Sequence, residues 1–402
     1  MMCDFDVIIV GGGPAGSSAA IHLARAGGRV LLAEQERFPR AKLCGEFISP
    51  ECLAHFARLG VLGAMEGAGG AKVHETVFYT RGGRAVAVPS EWFAGATARA
   101  ALGLSRAVMD SRLLEGARAA GVEVLEEATA SGLLLEGARV RGVRLGVAGG
   151  EMREHTARVV VDATGRQRAL ARRVARAKES EGEGRRAPLV AFKAHLEGAR
   201  GAEGVCEIYF YPGGYGGLSA VEGGAHNLCF IARAADVRAR GSDAARLMRE
   251  VVMRNRRAAV TLDGARARDR WLGVALQSFG RHDPVPAEGL ITVGDAASFI
   301  DPFTGSGMLM ALESGELAAR VVSDWLPDAR RDRPNFDALA RAYAAHYAAR
   351  FDSRLRLCGL LRRAAFAPPA LTEAAAIALN ASARLRHKLA RATRRAGARA
   401  PV

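Results

Sequence analysis

The chain has 402 residues, 49% hydrophobic and 25% charged, an ordinary globular composition that leaves room for two domains and excludes a disordered or fibrous polypeptide. Its 57 basic residues outnumber 42 acidic ones and give a formal charge of +15, yet only Lys42, Lys72, Lys178, Lys193 and Lys388 are lysines. Such an arginine and alanine excess fits a GC-rich genome or attraction to anionic partners, among them nucleotide phosphates, an acidic carrier protein or a membrane surface; no nucleic-acid-binding motif accompanies it, so no nucleic-acid partner is expected.

Cys3, Cys44, Cys52, Cys206, Cys229 and Cys358 show no CxxC spacing, so neither a disulfide framework nor a metal site is expected, and a reducing cytoplasm fits best. No apolar run reaches the ~18 residues of a membrane span. A first strand starting at Phe5 leaves no room for a charged leader with an apolar core.

In chain order, a β-branched run over residues 7–10 breaks into Gly11-Gly12-Gly13-Pro14-Ala15-Gly16 and an alanine-rich helix. A second apolar run follows and closes on Glu34. This is a dinucleotide-binding turn: Gly11 permits the bend, Gly13 lets backbone approach a pyrophosphate, Gly16 lets helix pack on strand, and Glu34 accepts from ribose hydroxyls. Residues 73–88 read as a hairpin turning at Gly82-Gly83, residues 106–120 as a helix and 121–125 as a strand. A hairpin-like pair over 133–147 leads to a strand ending in Asp162-Ala163-Thr164-Gly165. Residues 178–186 read as an exposed linker. Alternating segments at 189–196, 205–211, 217–222 and 227–232 imply a second, antiparallel sheet, before a helix over 243–257. A buried strand then ends in Gly294-Asp295-Ala296-Ala297, residues 309–326 form a helix, and everything from 334 onward is helical and arginine-rich.

The GxGxxG turn, Asp162 to Gly165 and Gly294 to Ala297 together resemble the three fingerprints of FAD enzymes with the para-hydroxybenzoate hydroxylase fold. That resemblance implies an α/β chain: a Rossmann-type FAD-binding domain with an inserted, mostly antiparallel β-sheet substrate domain and a C-terminal helical region. The boundaries are 1–72, 100–180 and 270–330 for the discontinuous FAD-binding domain, 73–99 and 187–269 for the substrate domain, and 331–402 for the helices. It further implies Asp295 as ligand of the ribityl chain and Arg106 as a cofactor contact. The loop holding Pro302, Gly305 and Gly307 then leads to a helix start at Met308, whose amides face the N1 and O2 edge of the flavin.

Two further segments resemble the geranylgeranyl reductase family over roughly residues 5–330. Arg40, Lys42, Cys44 and Gly45 fall on its Pro-Arg-x-Lys-x-Cys-Gly loop, and Tyr209, Tyr211, Pro212 and Tyr215 on its aromatic substrate strand. The family usually carries tryptophan where Tyr209 stands, and a tyrosine where Glu207 stands. The resemblance implies an FAD-dependent reductase of a carbon–carbon double bond in a hydrophobic, isoprenoid or lipid-like substrate, with NAD(P)H or another donor. Cys44 and Glu46 are the catalytic candidates, the thiol lowered in pKa by Lys42 or Arg40, and Glu46 either a proton donor or acceptor or an ion-pair partner of Arg40. The alternatives are a monooxygenase acting on an aromatic or polyketide-like substrate through a C4a-hydroperoxyflavin, and a flavin-dependent halogenase. A halogenase expects Trp-x-Trp-x-Ile-Pro where Glu207, Tyr209, Tyr211 and Pro212 stand. A non-catalytic FAD-binding adaptor is the fourth reading. Residues 350–399 either pack as an amphipathic helix or lie on anionic lipid, placing a cytoplasmic protein at the inner face of the membrane.

Overall fold

The structure, a computed structural model, describes residues 3–93, 100–176, 188–276, 279–329 and 335–394; the linker expected at 178–186 lies outside them. The chain opens with β1 (Phe5–Val10), α1 (Pro14–Arg25) and β2 (Val30–Ala33), passes through β3 (Glu75–Tyr79) and β4 (Ala85–Pro89), and returns in α2 (Arg106–Ala119). Next come β5 (Glu123–Leu125), β6 (Thr129–Glu136), β7 (Arg139–Gly146), β8 (Met152–Asp162) and α3 (Ala169–Arg176). A second excursion comprises β9 (Leu189–Glu197), β10 (Val205–Tyr211), β11 (Gly214–Ala220), β12 (His226–Arg233) and β13 (Leu272–Leu276). Then follow β14 (Leu290–Thr292), α4 (Gly307–Ala329), α5 (Phe336–Ala365), α6 (Pro369–Ala381) and α7 (Ala383–Ala392).

In the first sheet β5, β2, β1 and β8 lie parallel in that order. β14 runs parallel to the C-terminal end of β8, while β7 and β6 continue antiparallel from its N-terminal half. Val7, Ile8 and Ile9 are completely buried, as suits a strand covered on both faces. On one face α1 packs against α4. Pro14 opens α1 where the missing N–H has no intrahelical partner to lose.

The second sheet runs β9, β12, β11, β10, β3, β4, antiparallel except between β10 and β3. β13 pairs with β9, so residues 272–276 belong to this sheet and not to the first domain where the sequence reading put them. One face is covered by the short helices Ala234–Ala239, Ala244–Glu250 and Arg256–Thr261. The other looks across to the first domain.

The C-terminal helices pack on this body. Tyr343, Tyr347, Phe351 and Cys358 are buried at helical spacing along α5, and Tyr343 donates to the Thr292 carbonyl at 2.7 Å. Among the described residues no helix is long and apolar enough to cross a membrane.

Candidate active site

The C-terminal ends of β1, β8 and β14, the inner face of the second sheet and the helices α6 and α7 enclose one cavity of about 1510 Å³. This exceeds the ~300–1,000 Å³ of a usual small-molecule pocket, so it has room for a large ligand with space beside it. Gly11, Gly13, Pro14 and Ala15 line its first end. Gly11 has φ of +110°, and a Cβ there would sit 2.3 Å from the Ala163 carbonyl oxygen; one on Gly16 would sit 1.9 Å from the Gly11 carbonyl oxygen. Gly16 therefore lies behind the wall, closing helix onto strand. A Cβ on Gly13 would meet nothing nearer than the guanidinium tips of Arg106 and Arg40, at 3.8 and 3.9 Å. This leaves an open cradle between the first turn of α1, whose amides lack intrahelical partners, and two cations.

Around that cradle Arg106 grips Asp110 through Nε and Nη2 at 2.8 and 2.7 Å. Arg40 reaches the same carboxylate at 3.0 Å and Glu34 at 3.5 Å. Glu34 accepts from the Gly12 amide at 2.8 Å and keeps lone pairs for hydroxyl donors. Lys42 faces the cavity, its pKa held down by burial and by the neighbouring Arg40 and Arg106. Gly165, Gly294 and Asp295 line the far side of this end. Burial pushes the Asp295 carboxyl up, against the pull of Arg166, Arg106 and Lys42. Asp162 does not join them. Its Oδ1 accepts from the Thr164 amide and hydroxyl, and its Oδ2 from the Leu170 and Ala171 amides at 3.1 and 2.9 Å, so it fixes the turn and starts α3.

Gly305, Gly307 and Met308, at the start of α4, line the middle of the cavity. Pro302 begins the short turn Pro302–Thr304, and its side chain lies outside the described residues. The Gly305 carbonyl accepts from Arg394 at 3.2 Å, and the Arg394 carbonyl in turn accepts from the buried Arg354 at 2.9 Å.

The inner face of the second sheet makes the other wall, and here the expectation for the aromatic strand is corrected. Cys206, Ile208 and Phe210 line the cavity, whereas Glu207, Tyr209 and Tyr211 point to the opposite face. Tyr209 donates to Glu207 at 2.9 Å, Arg257 clasps the same carboxylate at 2.6 and 2.9 Å, and Tyr211 donates to the Ile231 carbonyl. Successive side chains of a strand alternate, so one register cannot send residues 209 and 210 to the same side. Pro212 sits outside the cavity, beside Phe366 and Pro368. Tyr215 does line it, pairs with Asp301 and accepts from the Phe303 amide at 3.1 Å. Phe78, Phe210 and Phe303 pack within 5.5–6.4 Å of one another and complete an aromatic floor.

Glu46 joins the two halves. It lines the cavity while only 1% exposed. Its carboxylate accepts from Lys193 Nζ at 3.0 Å, from His195 Nε2 at 2.6 Å and from the Arg106 amide at 2.9 Å. His195 Nδ1 lies 2.9 Å from Asp269, which is 42% exposed. Burial alone would raise the Glu46 carboxyl, but His195, Lys193 and the Arg106 amide outweigh it and hold it below its ordinary value. The hydrogen bond that His195 donates to Glu46 conversely raises the imidazole's pKa. The expected pairing of Glu46 with Arg40 is thus replaced, because Arg40 is taken by Asp110. Cys44 also lines the cavity beside Gly45, but its thiol is pushed up by burial, with Arg106 opposing, and not lowered by Lys42 or Arg40.

Sequence reasoning missed Lys193, His195, Asp269 and Arg166. The first three stand 147 or more residues from Glu46; a lone lysine and histidine on an apolar strand were the available signal. Arg166 directly follows the second fingerprint.

A glycine cradle with two arginines suits a pyrophosphate, a buried aspartate suits a polyol, and a helix start between them and an aromatic floor suits a flavin ring, so the residues present fit FAD. Fold and site define an FAD-binding flavoprotein. The chain belongs to the family described as FAD binding domain, which matches residues 4–321. A flavin-dependent brominase shares the fold with a TM-score of 0.78 and 20% identity, over 97% of this chain and 93% of that one. A geranylgeranyl bacteriochlorophyll reductase-like protein of Thermoplasma acidophilum does so with a TM-score of 0.73 and 22% identity, over 92% and 90%. The menaquinone reductase of Mycolicibacterium smegmatis is 48% identical over 56 residues, a match spanning 14% of each chain. The expected kinship with FAD-binding flavoproteins holds, and the likeness to the geranylgeranyl reductase-like structure is one of fold.

Proposed function

We propose that the protein saturates a carbon–carbon double bond in a hydrophobic, isoprenoid- or lipid-like substrate, with NAD(P)H as a transient electron donor. The observation that carries this is the meeting of an apolar wall, built by Ile208, Phe210 and Phe303, with the buried Glu46 carboxylate inside one cavity. FAD, when bound, supplies the hydride. Saturation then needs a proton on the second carbon, so NAD(P)H, H⁺ and the alkene give NAD(P)⁺ and the alkane. Of the two partners His195, whose pKa is raised, is the holder of the shared proton, and Glu46, whose pKa is lowered, is the carboxylate. Negative charge developing on a substrate carbon draws that proton through Glu46 to carbon. Asp269 at the surface orients the imidazole for reloading, and Lys193 holds the Glu46 carboxylate in place.

The test is anaerobic reduction of the FAD-loaded protein by NADPH or NADH, followed by polyprenyl lipids and lipid quinones. Bleaching of the flavin, its reoxidation by one lipid class and a product heavier by two hydrogens are expected. A product carrying oxygen or halogen, formed only after air is admitted, would overturn the reductase reading.

A further inference from the structure

α6 combines two properties that a helix on a globular protein does not normally combine. Its inner face, with Thr372, Ala376 and Leu379, lines the cavity. Its outer face carries Ala370, Ala374, Ile377 and Ala381 at i, i+4, i+7 and i+11, with Leu371 beside them, all exposed. A surface helix ordinarily turns polar residues outward, whereas one apolar all round is buried or in contact with lipid. The sole charged residue of α6, Glu373, is occupied by the Gly82 amide and Arg84. Among the described residues, seven large hydrophobic side chains are strongly exposed, and Leu360, Leu371, Ile377 and Leu385 of these belong to the last three helices. Four of the seven therefore fall in the C-terminal helices.

α7 follows at once and presents Arg384, Lys388 and Arg391, all exposed, at i, i+4 and i+7, and so on one helix face. An exposed apolar helix face followed at once in the chain by an exposed basic one offers contacts for acyl chains and for the anionic headgroups above them. We infer that α6 and α7 form a docking surface for an anionic lipid bilayer, with α6 lying in the interface and Arg384, Lys388 and Arg391 meeting the headgroups. Because the same helix walls the cavity, a lipid-like substrate then passes from bilayer to active site along α6 without crossing water. That last step rests on the proposed substrate class, while the docking itself does not.

The experiment is flotation of the full-length, FAD-loaded protein with vesicles of phosphatidylcholine alone and of phosphatidylcholine with phosphatidylglycerol, without substrate. Flotation with the anionic vesicles is expected, weakening with salt. The double variant Leu371→Glu/Ile377→Glu should lose it while keeping its flavin absorbance and melting temperature. The triple variant Arg384→Glu/Lys388→Glu/Arg391→Glu should weaken it at least about tenfold. Flotation that ignores both variants, absence of flotation, or a concentration-dependent dimer abolished by Leu371→Glu/Ile377→Glu would each overturn the inference. Because no turnover is measured, failure of the reductase reading leaves the flotation result standing.

Discussion

Glu46 has a backbone φ of +54°, a left-handed conformation that costs a residue bearing a Cβ about 1–2 kcal/mol. It is kept there because Lys193, His195 and the Arg106 amide all converge on its carboxylate, and strain of this kind concentrates at functional sites. Glu46→Gln keeps the shape and removes the proton carrier. It should retain FAD and lower kcat by about 10²-fold or more, as read by steady-state assay against flavin content. The pH dependence follows from the two shifts. His195 is raised above its ordinary 6.5, so its pairing stabilises fully below that value and is lost as pH rises through the raised pKa. Glu46 is depressed below its ordinary 4.5, so its contribution is present above that value and lost as pH falls through the lower pKa. Turnover should accordingly fall on the alkaline side as His195 deprotonates, and in His195→Gln that limb should vanish from the pH–rate profile.

At the scale of elements, β10 is two strands in one. Residues 206, 208 and 210 make the cavity wall, and residues 207, 209 and 211 hold the helices behind it. Phe210→Ala should raise KM for the lipid substrate by roughly tenfold with kcat little changed. Tyr209→Phe should leave KM alone and cost about 1 kcal/mol in urea unfolding, the worth of its hydrogen bond to Glu207. The strand was legible in the sequence but its facing was not: Val-Cys-Glu-Ile-Tyr-Phe-Tyr is buried on both sides, so no polar alternation marks the solvent face. The β1–α1–β2 turn was readable because its constraints are local, set by the glycines and Glu34 within one supersecondary unit. Asp162 shows the opposite case, since the backbone it must hold decides where its carboxylate points, and motif spacing does not carry that information. The link from Glu46 to His195 was out of reach because it forms only when two distant segments fold together.

For the whole molecule, the cavity is walled by both sheets and by the last two helices, so a ligand filling it touches every part of the fold. FAD at a hundred times its Kd should add about 2.7 kcal/mol to stability, and removing it should lower the melting temperature of all regions in one transition. The chain from Arg354 through Arg394 to the Gly305 carbonyl has a further consequence. The end of α7 and the loop before α4 are tied by one guanidinium, so a displacement of one pulls on a hydrogen bond to the other. Arg394→Ala should leave flotation intact but abolish any change in flavin fluorescence on adding vesicles. Through this tether the last helix and a loop of the cavity wall are linked by two hydrogen bonds, a mechanical connection between the protein's surface and its interior.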